Sequence, residues 1–504
     1  MSNTQVKQKI IILGGGTAGW MAANLMATHW ASKGIEITLI ESPNIGTVGV
    51  GEGSTPPLKH FMETIGAEEE EWMKACNATY KVGIDFRQWS SKPGFESYIH
   101  PFLAQPDDFT APAFFYNSLL RRKGINLEGH PDHFFLASHL IKNQLSPKAP
   151  ANFPFEINYG YHFDSGLLGK YLHQHAEKKG VKYKQATISD VILANNGNIQ
   201  YLVSDTGEQL SADIFVDATG FRGTLIQQAL KVPFRSFKEN LFNDAAVVFP
   251  TAQSETIDAH TTSTALTNGW AWKIPLTNRN GNGYVFSKSF CTPDEAETEM
   301  RAHLGLLDTD IEAKHLDMKV GRTELHWARN CLAVGLSQGF VEPLEATALD
   351  MVQETVFRFI EAYQEGGFTD KKRNDFNQRI NARIDAVRDY IVCHYKINTR
   401  TDSEYWRANT ANNRISPSLH AILSSWMQGQ SITDELERQK LDIYFPNVSW
   451  NCLLAGKGIY PDASQLKTVE ELQDKYNLKD LERFISGCGL NFKPHHIELN
   501  KFKS

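Results

Sequence analysis

A glycine-rich turn near the start of the chain constrains the fold more than any other feature of the sequence. A short apolar run at residues 10–13 is followed by GGGTAG, which fits the pattern G-x-G-x-x-G, and then by a helix-compatible stretch at residues 20–30. A second apolar run at residues 35–40 follows at the distance expected of a βαβ unit. The pattern predicts a Rossmann-type unit that binds a dinucleotide.

Each residue type in this turn has a physical reason. Gly14 permits the tight turn, Gly16 lets the backbone approach a pyrophosphate, and Gly19 allows the helix to pack closely on the strand. The backbone N–H groups at the helix start, at Thr17 and Ala18, would then face the phosphates. These five residues are predicted to bind the cofactor, and the alternative is a glycine turn that holds no ligand.

Two carboxylates extend the nucleotide hypothesis. Glu41 follows the second apolar run, where it would accept hydrogen bonds from the adenosine ribose hydroxyls, unless it is only a solvated strand-end carboxylate. Residues 214–220, IFVDATG, indicate a buried strand ending in an A-T-G turn. They resemble the second nucleotide-side motif of FAD-dependent monooxygenase-type folds, which favours FAD over NAD and assigns Asp217 to the cofactor site. Alone, such a turn is more often an ordinary strand-to-loop connection.

The remaining patterns predict how the chain is organised. Residues 191–193, 199–203 and 214–216 are short strand candidates separated by turn signals, and they predict an antiparallel meander inserted into an α/β framework. Apolar residues at spacings of three and four predict a helix over 348–363, and the segment 371–440 is similarly helical.

We therefore expect an α/β protein with two intimately packed modules. An FAD-binding module of the flavin monooxygenase type would cover residues 1–365, with an inserted substrate-side segment at about 90–160. A mostly helical substrate-binding module, not independently folding, would cover residues 366–504.

Composition and charge exclude several classes of protein. The chain has 504 residues, 41% of them hydrophobic and 22% charged, which is typical of a large globular core. A net charge of −7 without a basic cluster argues against nucleic acid or a polybasic membrane contact. The apolar run before the first glycine is too short for a signal peptide or a membrane span, so we expect a cytoplasmic protein. Six scattered cysteines without a C-x-x-C pair favour buried free thiols and no metal site.

Residues 269–276, GWAWKIPL, resemble the W-x-W-x-I-P motif of the flavin-dependent tryptophan halogenase family in every fixed position. The resemblance implies that Trp270 and Trp272 form a barrier beside the flavin, where bulky indoles exclude an organic substrate while a halide ion passes. Without the neighbouring motifs, two Trp residues at positions i and i+2 would indicate one face of a half-buried strand.

Two further segments are similar to the family's catalytic segments. Residues 76–86, CNATYKVGIDF, imply that Lys81 is the catalytic lysine, which would hydrogen-bond hypohalous acid or form a haloamine after deprotonation. Residues 339–348, GFVEPLEATA, imply that Glu345 is the catalytic glutamate, holding hypohalous acid with Lys81 or acting as general base. From the residues alone, Lys81 would be a solvated surface lysine and Glu345 a carboxylate at a helix N-terminus.

The resemblance also implies the halide, strap and substrate contacts. Halide would bind to the backbone amides of Thr347 and Ala348, although the family more often has Ser-Thr-Gly where this chain has ATA. Residues 49–56, GVGEGSTP, resemble the flavin-contacting strap and include Gly51. The sequence HPF at 100–102 resembles the substrate pocket, with Phe102 and His100 sandwiching an aromatic ring. A structural histidine is the alternative for His100.

Together these segments imply a halogenase. Reduced FAD from a separate reductase, without a stable complex, would react with oxygen and chloride or bromide to give hypohalous acid, which travels to Lys81 and halogenates a small aromatic compound. Residues 441–461 do not match the segment with which tryptophan-specific members bind the amino acid, so indole or an indole derivative is the expected substrate. The alternatives are an FAD-dependent aromatic monooxygenase and a non-catalytic flavin-binding protein.

Overall fold

The structure, a computed structural model, describes residues 8–44, 51–441, 444–462 and 475–502. Residues 49 and 50 of the predicted strap lie outside the described residues, whereas Gly51 lies within them. The strands of the described part are β1 (Lys9–Leu13), β2 (Glu36–Glu41), β3 (Gly51–Gly53), β4 (Thr79–Lys81), β5 (Gly83–Arg87), β6 (Ser97–Pro101), β7 (Gly160–Asp164), β8 (Lys182–Gln185), β9 (Ile188–Leu193), β10 (Ile199–Ser204), β11 (Gln209–Leu210), β12 (Ile214–Asp217), β13 (Phe234–Ser236), β14 (Ala245–Ala252), β15 (Thr261–Leu266), β16 (Gly269–Pro275), β17 (Arg279–Phe286), β18 (Lys314–Asp317), β19 (Gly321–Thr323), β20 (Trp327–Ala328), β21 (Cys331–Ala333) and β22 (Gly339–Phe340).

The α-helices of the same residues are α1 (Thr17–Trp30), α2 (Pro57–Ile65), α3 (Glu69–Ala75), α4 (Asp107–Arg122), α5 (Leu136–Lys142), α6 (Ser165–Lys178), α7 (Pro293–Leu304), α8 (Ala348–Glu365), α9 (Arg373–Lys396), α10 (Glu404–Ala411), α11 (Pro417–Met427), α12 (Ile432–Gln439), α13 (Asn447–Gly456), α14 (Leu478–Gly489) and α15 (His495–Leu499). No helix in the described ranges is both long enough and apolar enough to cross a bilayer.

A six-stranded sheet carries the predicted dinucleotide-binding unit. Its order is β20-β21-β12-β1-β2-β8, and every neighbouring pair is parallel except β20 and β21. Helix α1 connects β1 to β2 and is packed between α6 and α8, which explains why apolar residues occur on nearly every side of it. The predicted Rossmann-type α/β fold is confirmed.

A seven-stranded sheet carries the other half of the site. Its order is β18-β14-β17-β16-β15-β5-β6, with antiparallel neighbours apart from the parallel pair β15 and β5. Strand β16 contains the paired tryptophans, and β5 and β6 connect the segment of Lys81 to that of His100. A small sheet, β3-β7-β4, joins Gly51 and Lys81 to the same region.

The predicted meander is partly wrong. Strands β9 and β10 pair antiparallel as expected, but the third strand is β11, at Gln209–Leu210. The candidate at 214–216 is β12, which lies between β1 and β21 in the parallel sheet. Strand β12 is buried throughout, and a strand buried on both faces is typical of a parallel sheet rather than of a solvated hairpin.

The C-terminal third is mostly helical, as the apolar spacing predicts. Helix α8 begins at the expected residue, and α9 to α12 lie within the segment predicted to be helical. One buried apolar cluster contains Trp20 of α1, Ile84 of β5 and Trp406 of α10, so the helices and both large sheets share a core. The six cysteines are free and buried, as predicted.

Candidate active site

The glycine turn between β1 and α1 leaves room on only one side. Gly14 has φ of +119°, and a Cβ atom there would overlap the carbonyl oxygen of Ala218. A Cβ atom on Gly19 would overlap the carbonyl oxygen of Gly14, whereas one on Gly16 would meet nothing within 4 Å. Backbone therefore fills the space at Gly14 and Gly19, and the turn is open at Gly16, which is what a bound pyrophosphate requires.

Glu41 lies directly against this turn. A Cβ atom on Gly15 would overlap the Glu41 carboxyl group, so the turn and the carboxylate are in contact. The Tyr183 hydroxyl donates to Glu41 Oε2 over 2.9 Å and fixes its orientation. A hydrogen bond from a ribose hydroxyl to this carboxylate stays a prediction.

Asp217 has a different environment from Glu41, because its buried carboxylate is used by its own loop. Oδ1 accepts from the backbone N–H and the hydroxyl of Thr219, and Oδ2 accepts from the backbone N–H groups of Leu225 and Ile226. Burial raises the pKa of Asp217, and these hydrogen bonds oppose the shift. The carboxylate shapes the loop beside Gly14, and a direct contact with the cofactor stays a prediction.

Lys81 is a fully buried amine at the end of β4. Its Nζ atom has no hydrogen-bond partner among the described residues and lies 5.3 Å from the centre of the Phe102 ring. Burial lowers the pKa of Lys81 to about 7, and the negative charge of Glu345 opposes part of that shift. The solvated-lysine alternative is wrong for Lys81.

Glu345 lies between two imidazoles just before α8. His100 Nδ1 is 2.8 Å from Oε2, and His394 Nε2 of α9 is 2.9 Å from Oε1. Burial alone would raise the pKa of Glu345, but the two imidazoles lower it to about 2. Glu345 is therefore a carboxylate anion at neutral pH, within the electrostatic reach of Lys81.

The two histidines have defined tautomers as a consequence. Burial lowers the pKa of His394 to about 4, so it is neutral and donates its Nε2–H to Glu345. His100 donates from Nδ1, and its Nε2 lies 2.9 Å from the Ser449 hydroxyl of α13. Both ring nitrogens of His100 therefore contact protein groups. The predicted aromatic contact of the His100 ring with a substrate stays a prediction.

The paired tryptophans are anchored to the same loop as Glu345. Trp270 Nε1 donates to Glu342 Oε2 over 3.2 Å, and the same oxygen accepts from Asn243 and from the Tyr395 hydroxyl. Burial raises the pKa of Glu342 to about 7. The Trp272 ring lies across Gly283 of β17, where any Cβ atom would overlap it. The two indole centroids are 6.0 Å apart.

The halide and strap candidates lie at element boundaries. Ala346 has φ of +55°, Thr347 is the residue before α8, and Ala348 is its first residue. The first N–H groups of a helix lack helical acceptors, so they are available to an anion. Gly51 in β3 approaches the tryptophan strand, because a Cβ atom on it would lie 3.3 Å from Ile274 of β16.

Sequence reasoning missed the groups that hold these residues in place. They are the partners of Glu345 and His100, namely His394 and Ser449, and the anchor of Trp270, namely Glu342. A lone histidine within a charged helix and a serine near a helix start carry no signal in a single sequence. Glu342 offered a weak signal as a second carboxylate three residues before Glu345. No group of three or more His, Cys, Asp or Glu side chains in the described ranges is arranged to hold a metal ion.

The fold and the site together define an α/β protein of the dinucleotide-binding class, with a buried lysine, a buried carboxylate and paired tryptophans. The family described as tryptophan halogenase matches residues 9–471. The chain is 35% identical to the tryptophan 6-halogenase SttH of Streptomyces toxytricini over 84% of each sequence, and 32% identical to the tryptophan 7-halogenase RebH of Lentzea aerocolonigenes over 90% of each. Its structure is similar to that of BrvH, a flavin-dependent halogenase from Brevundimonas sp. BAL3, with a TM-score of 0.86, 29% identity and 99% of both chains covered.

The chain therefore belongs to the tryptophan halogenase family and is a flavin-dependent halogenase. The predicted membership of this family, drawn from five short motifs, is confirmed across most of the chain. A monooxygenase or a non-catalytic flavin-binding protein is not favoured by these relatives.

Proposed function

We propose that this enzyme uses reduced FAD, oxygen and chloride or bromide to halogenate an electron-rich aromatic small molecule such as indole or an indole derivative. The observation that carries the proposal is the buried amine of Lys81, which has no hydrogen-bond partner among the described residues and lies within electrostatic reach of the Glu345 carboxylate. A buried charged pair of this kind costs folding free energy, and it is typical of a reaction site rather than of a structural core.

The residues at the glycine turn fit FAD. A Cβ atom on Gly16 would meet no described atom within 4 Å, Thr17 and Ala18 begin α1, and Glu41 lies against the turn, where it would accept from a ribose hydroxyl. When bound, reduced FAD supplies the two electrons with which oxygen and halide yield hypohalous acid and water. A separate reductase, without a stable complex, would reduce the flavin.

The paired tryptophans separate the flavin from the organic substrate. Trp270 is fixed by its hydrogen bond to Glu342, and Trp272 is fixed flat against Gly283, so neither ring is free to swing aside. Halide would bind at the backbone of Thr347 and Ala348, where the positive end of α8 favours an anion.

Lys81 and Glu345 act on the substrate side of the tryptophan barrier. The Lys81 ammonium donates to the oxygen of hypohalous acid, which polarises the oxygen–halogen bond. The aromatic ring attacks the halogen, that bond breaks, and the oxygen leaves as water with a proton from Lys81. Glu345, held ionised by His100 and His394, stabilises the cationic ring and accepts the ring proton.

Buried aromatic side chains lie near Lys81 and Glu345. Phe102 lies under Lys81, and Tyr390 of α9 lies 6.0 Å from the His100 ring and 4.9 Å from that of Trp450. Such a surface suits a flat aromatic ring. Indole is preferred to free tryptophan, because the segment 441–461 lacks the expected match to an amino-acid clamp.

Product analysis tests this proposal. The purified protein is incubated with FAD, a flavin reductase, NADH, air, bromide or chloride, and indole or tryptophan, beside Lys81→Met and the exposed control Lys170→Met. We expect a halogen isotope pattern in the mass spectrum that disappears in Lys81→Met only. Hydroxylated product would favour the monooxygenase, and bound FAD without turnover across halides and substrates would favour a non-catalytic protein.

A further inference from the structure

A chain of hydrogen bonds beside Lys81 has a fixed direction. The Thr79 hydroxyl lies 2.7 Å from the carbonyl oxygen of Pro275, which can only accept, so the single proton of Thr79 is used there. The second contact of Thr79, at 3.0 Å from His162 Nδ1, must therefore be an N–H donated by His162. Burial and the nearby Lys81 hold the pKa of His162 well below its ordinary value, so its ring is neutral and Nε2 is an acceptor.

The direction of these hydrogen bonds determines whether the Thr261 hydroxyl can donate to a ligand or only accept from it. Its hydroxyl lies 3.0 Å from His162 Nε2 and must donate to it. Because a hydroxyl has one proton and two lone pairs, Thr261 Oγ1 remains available only as an acceptor. His162 thus acts through Thr261, by removing the possibility that this hydroxyl donates to anything else.

Gly53 of β3 lies next to both Lys81 and Thr261 and adds no side chain there. A Cβ atom on Gly53 would lie 3.2 Å from Lys81 Nζ and 3.2 Å from Thr261 Oγ1, a tight fit, and the position it would take is called the free position below. The two polar atoms are therefore at most about twice that distance apart. Among the described residues Lys81 Nζ has no hydrogen-bond partner, and Thr261 Oγ1 is an acceptor without a proton to give.

We propose that Lys81 and Thr261, which lie close together beside Gly53, form a two-point binding site for hypohalous acid. The ammonium donates to the oxygen of the acid, and Thr261 accepts the O–H of the same molecule. A halide ion has no proton for Thr261, so the pair selects the protonated oxyacid over its parent anion. This inference rests on the proposed function and makes Thr261 a binding residue, with His162 as its positioning residue.

Three variants isolate the two-point site. Thr261→Val removes the acceptor at nearly constant volume, and Thr261→Ser retains it. Gly53→Ala fills the free position without changing either polar group. Thr262→Val is the matched control, because successive residues of a strand face opposite sides of the sheet.

The first measurement is the yield of halogenated product per NADH oxidised, with a chemical trap for hypohalous acid that escapes. We expect Thr261→Val and Gly53→Ala to lower the yield about tenfold, as the loss of one hydrogen bond to a charged or polar ligand predicts. Trapped acid should rise in proportion, whereas Thr261→Ser and Thr262→Val should behave as the parent enzyme. Unchanged yield and no escaped acid in both Thr261→Val and Gly53→Ala would overturn the inference.

The second measurement needs no flavin. In protein labelled with ¹³C at the lysine ε-carbon, the Lys81 resonance is identified by its absence from Lys81→Met. Hydroxylamine, a small neutral molecule with an O–H next to a lone pair, is the probe, and bromide is the anion control. We expect hydroxylamine to shift the Lys81 resonance in the parent protein and Thr261→Ser, with at least a tenfold weaker response in Thr261→Val and Gly53→Ala.

These results separate the inference from the proposed function. A parent enzyme that makes no halogenated product would refute the proposed function, whatever the resonance shows. A parent enzyme that halogenates, with the same hydroxylamine response in all variants, would refute the two-point site alone. If Thr261→Val fails to fold, Gly53→Ala tests the same space, because the backbone of Gly53 does not lie in the left-handed region.

Discussion

Replacing Lys81 by Met is expected to stabilise the fold while abolishing halogenation. The side chain is fully buried and its Nζ atom has no hydrogen-bond partner in the described part of the chain, so the folded state holds an ammonium ion that the unfolded state would solvate. Burial lowers the pKa of Lys81 from 10.5 to about 7. At 1.36 kcal/mol per unit, this shift corresponds to roughly 5 kcal/mol of lost stability at low pH.

The sign of the pH dependence follows from proton binding. Between pH 7 and 10.5 the unfolded chain binds the Lys81 proton more tightly than the folded protein does, so the free energy of unfolding rises with pH in that window. At pH 7 the cost is still about 4 kcal/mol, and it disappears only above about pH 10.5, where the lysine is neutral in both states. Methionine has a similar length and no charge, so it removes the cost at every pH.

Urea unfolding at several pH values measures the effect. We expect Lys81→Met to be more stable than the parent protein by up to about 4 kcal/mol at pH 7, with the difference shrinking toward pH 10. Lys170→Met, at an exposed position on α6, should change stability by less than about 0.5 kcal/mol. A Lys81→Met variant that is equally stable or less stable than the parent at pH 7 would refute the assigned burial cost.

Three further perturbations test other parts of the site. His394→Leu removes one of the two donors to Glu345, so the pKa of that carboxyl should rise by about 1 to 2 units. The acid limb of the kcat/KM profile should move toward neutral pH by the same amount, and His394→Gln should partly reverse this shift. Glu342→Leu removes the acceptor of three buried donors and should lower the free energy of unfolding by about 1 to 3 kcal/mol in urea, and unchanged stability would contradict this. Gly16→Val fills the open side of the turn and should weaken FAD binding at least about 100-fold by fluorescence titration, whereas Gly487→Ala, on a distant helix, should not.

Local features could be predicted from the sequence because their causes are local. The turn at Gly14 requires a left-handed backbone conformation and a close approach to Ala218, and the spacing of the glycines reports both. The long helix α8 follows from apolar residues at spacings of three and four. The position of β12 could not be predicted in the same way, since its partners β1 and β21 are far away in the chain.

The contacts that define the chemistry are also distant in sequence. His100 and Glu345 are 245 positions apart, and His100 and Ser449 are 349 positions apart. A resemblance could assign roles to Lys81 and Glu345, because the motifs around them are short and specific. It could not show that Glu345 is held by two imidazoles, because neither histidine has a pattern that points to its partner.

Lys81 and Glu345 differ in pKa, and this difference decides which of them can exchange a proton near neutral pH. Glu345, with two N–H donors and a pKa of about 2, is ionised at neutral pH and well below it. Lys81, whose Nζ atom has no hydrogen-bond partner among the described residues, has a pKa of about 7 and is the member of the pair that can lose a proton near neutral pH. If the ammonium is the active form, the rate falls about tenfold per pH unit above 7, and if the neutral amine forms a haloamine, the rate rises to a plateau there. The pH profile of single-turnover halogenation therefore decides between the two roles of Lys81, and a profile flat from pH 6 to 9 would contradict both.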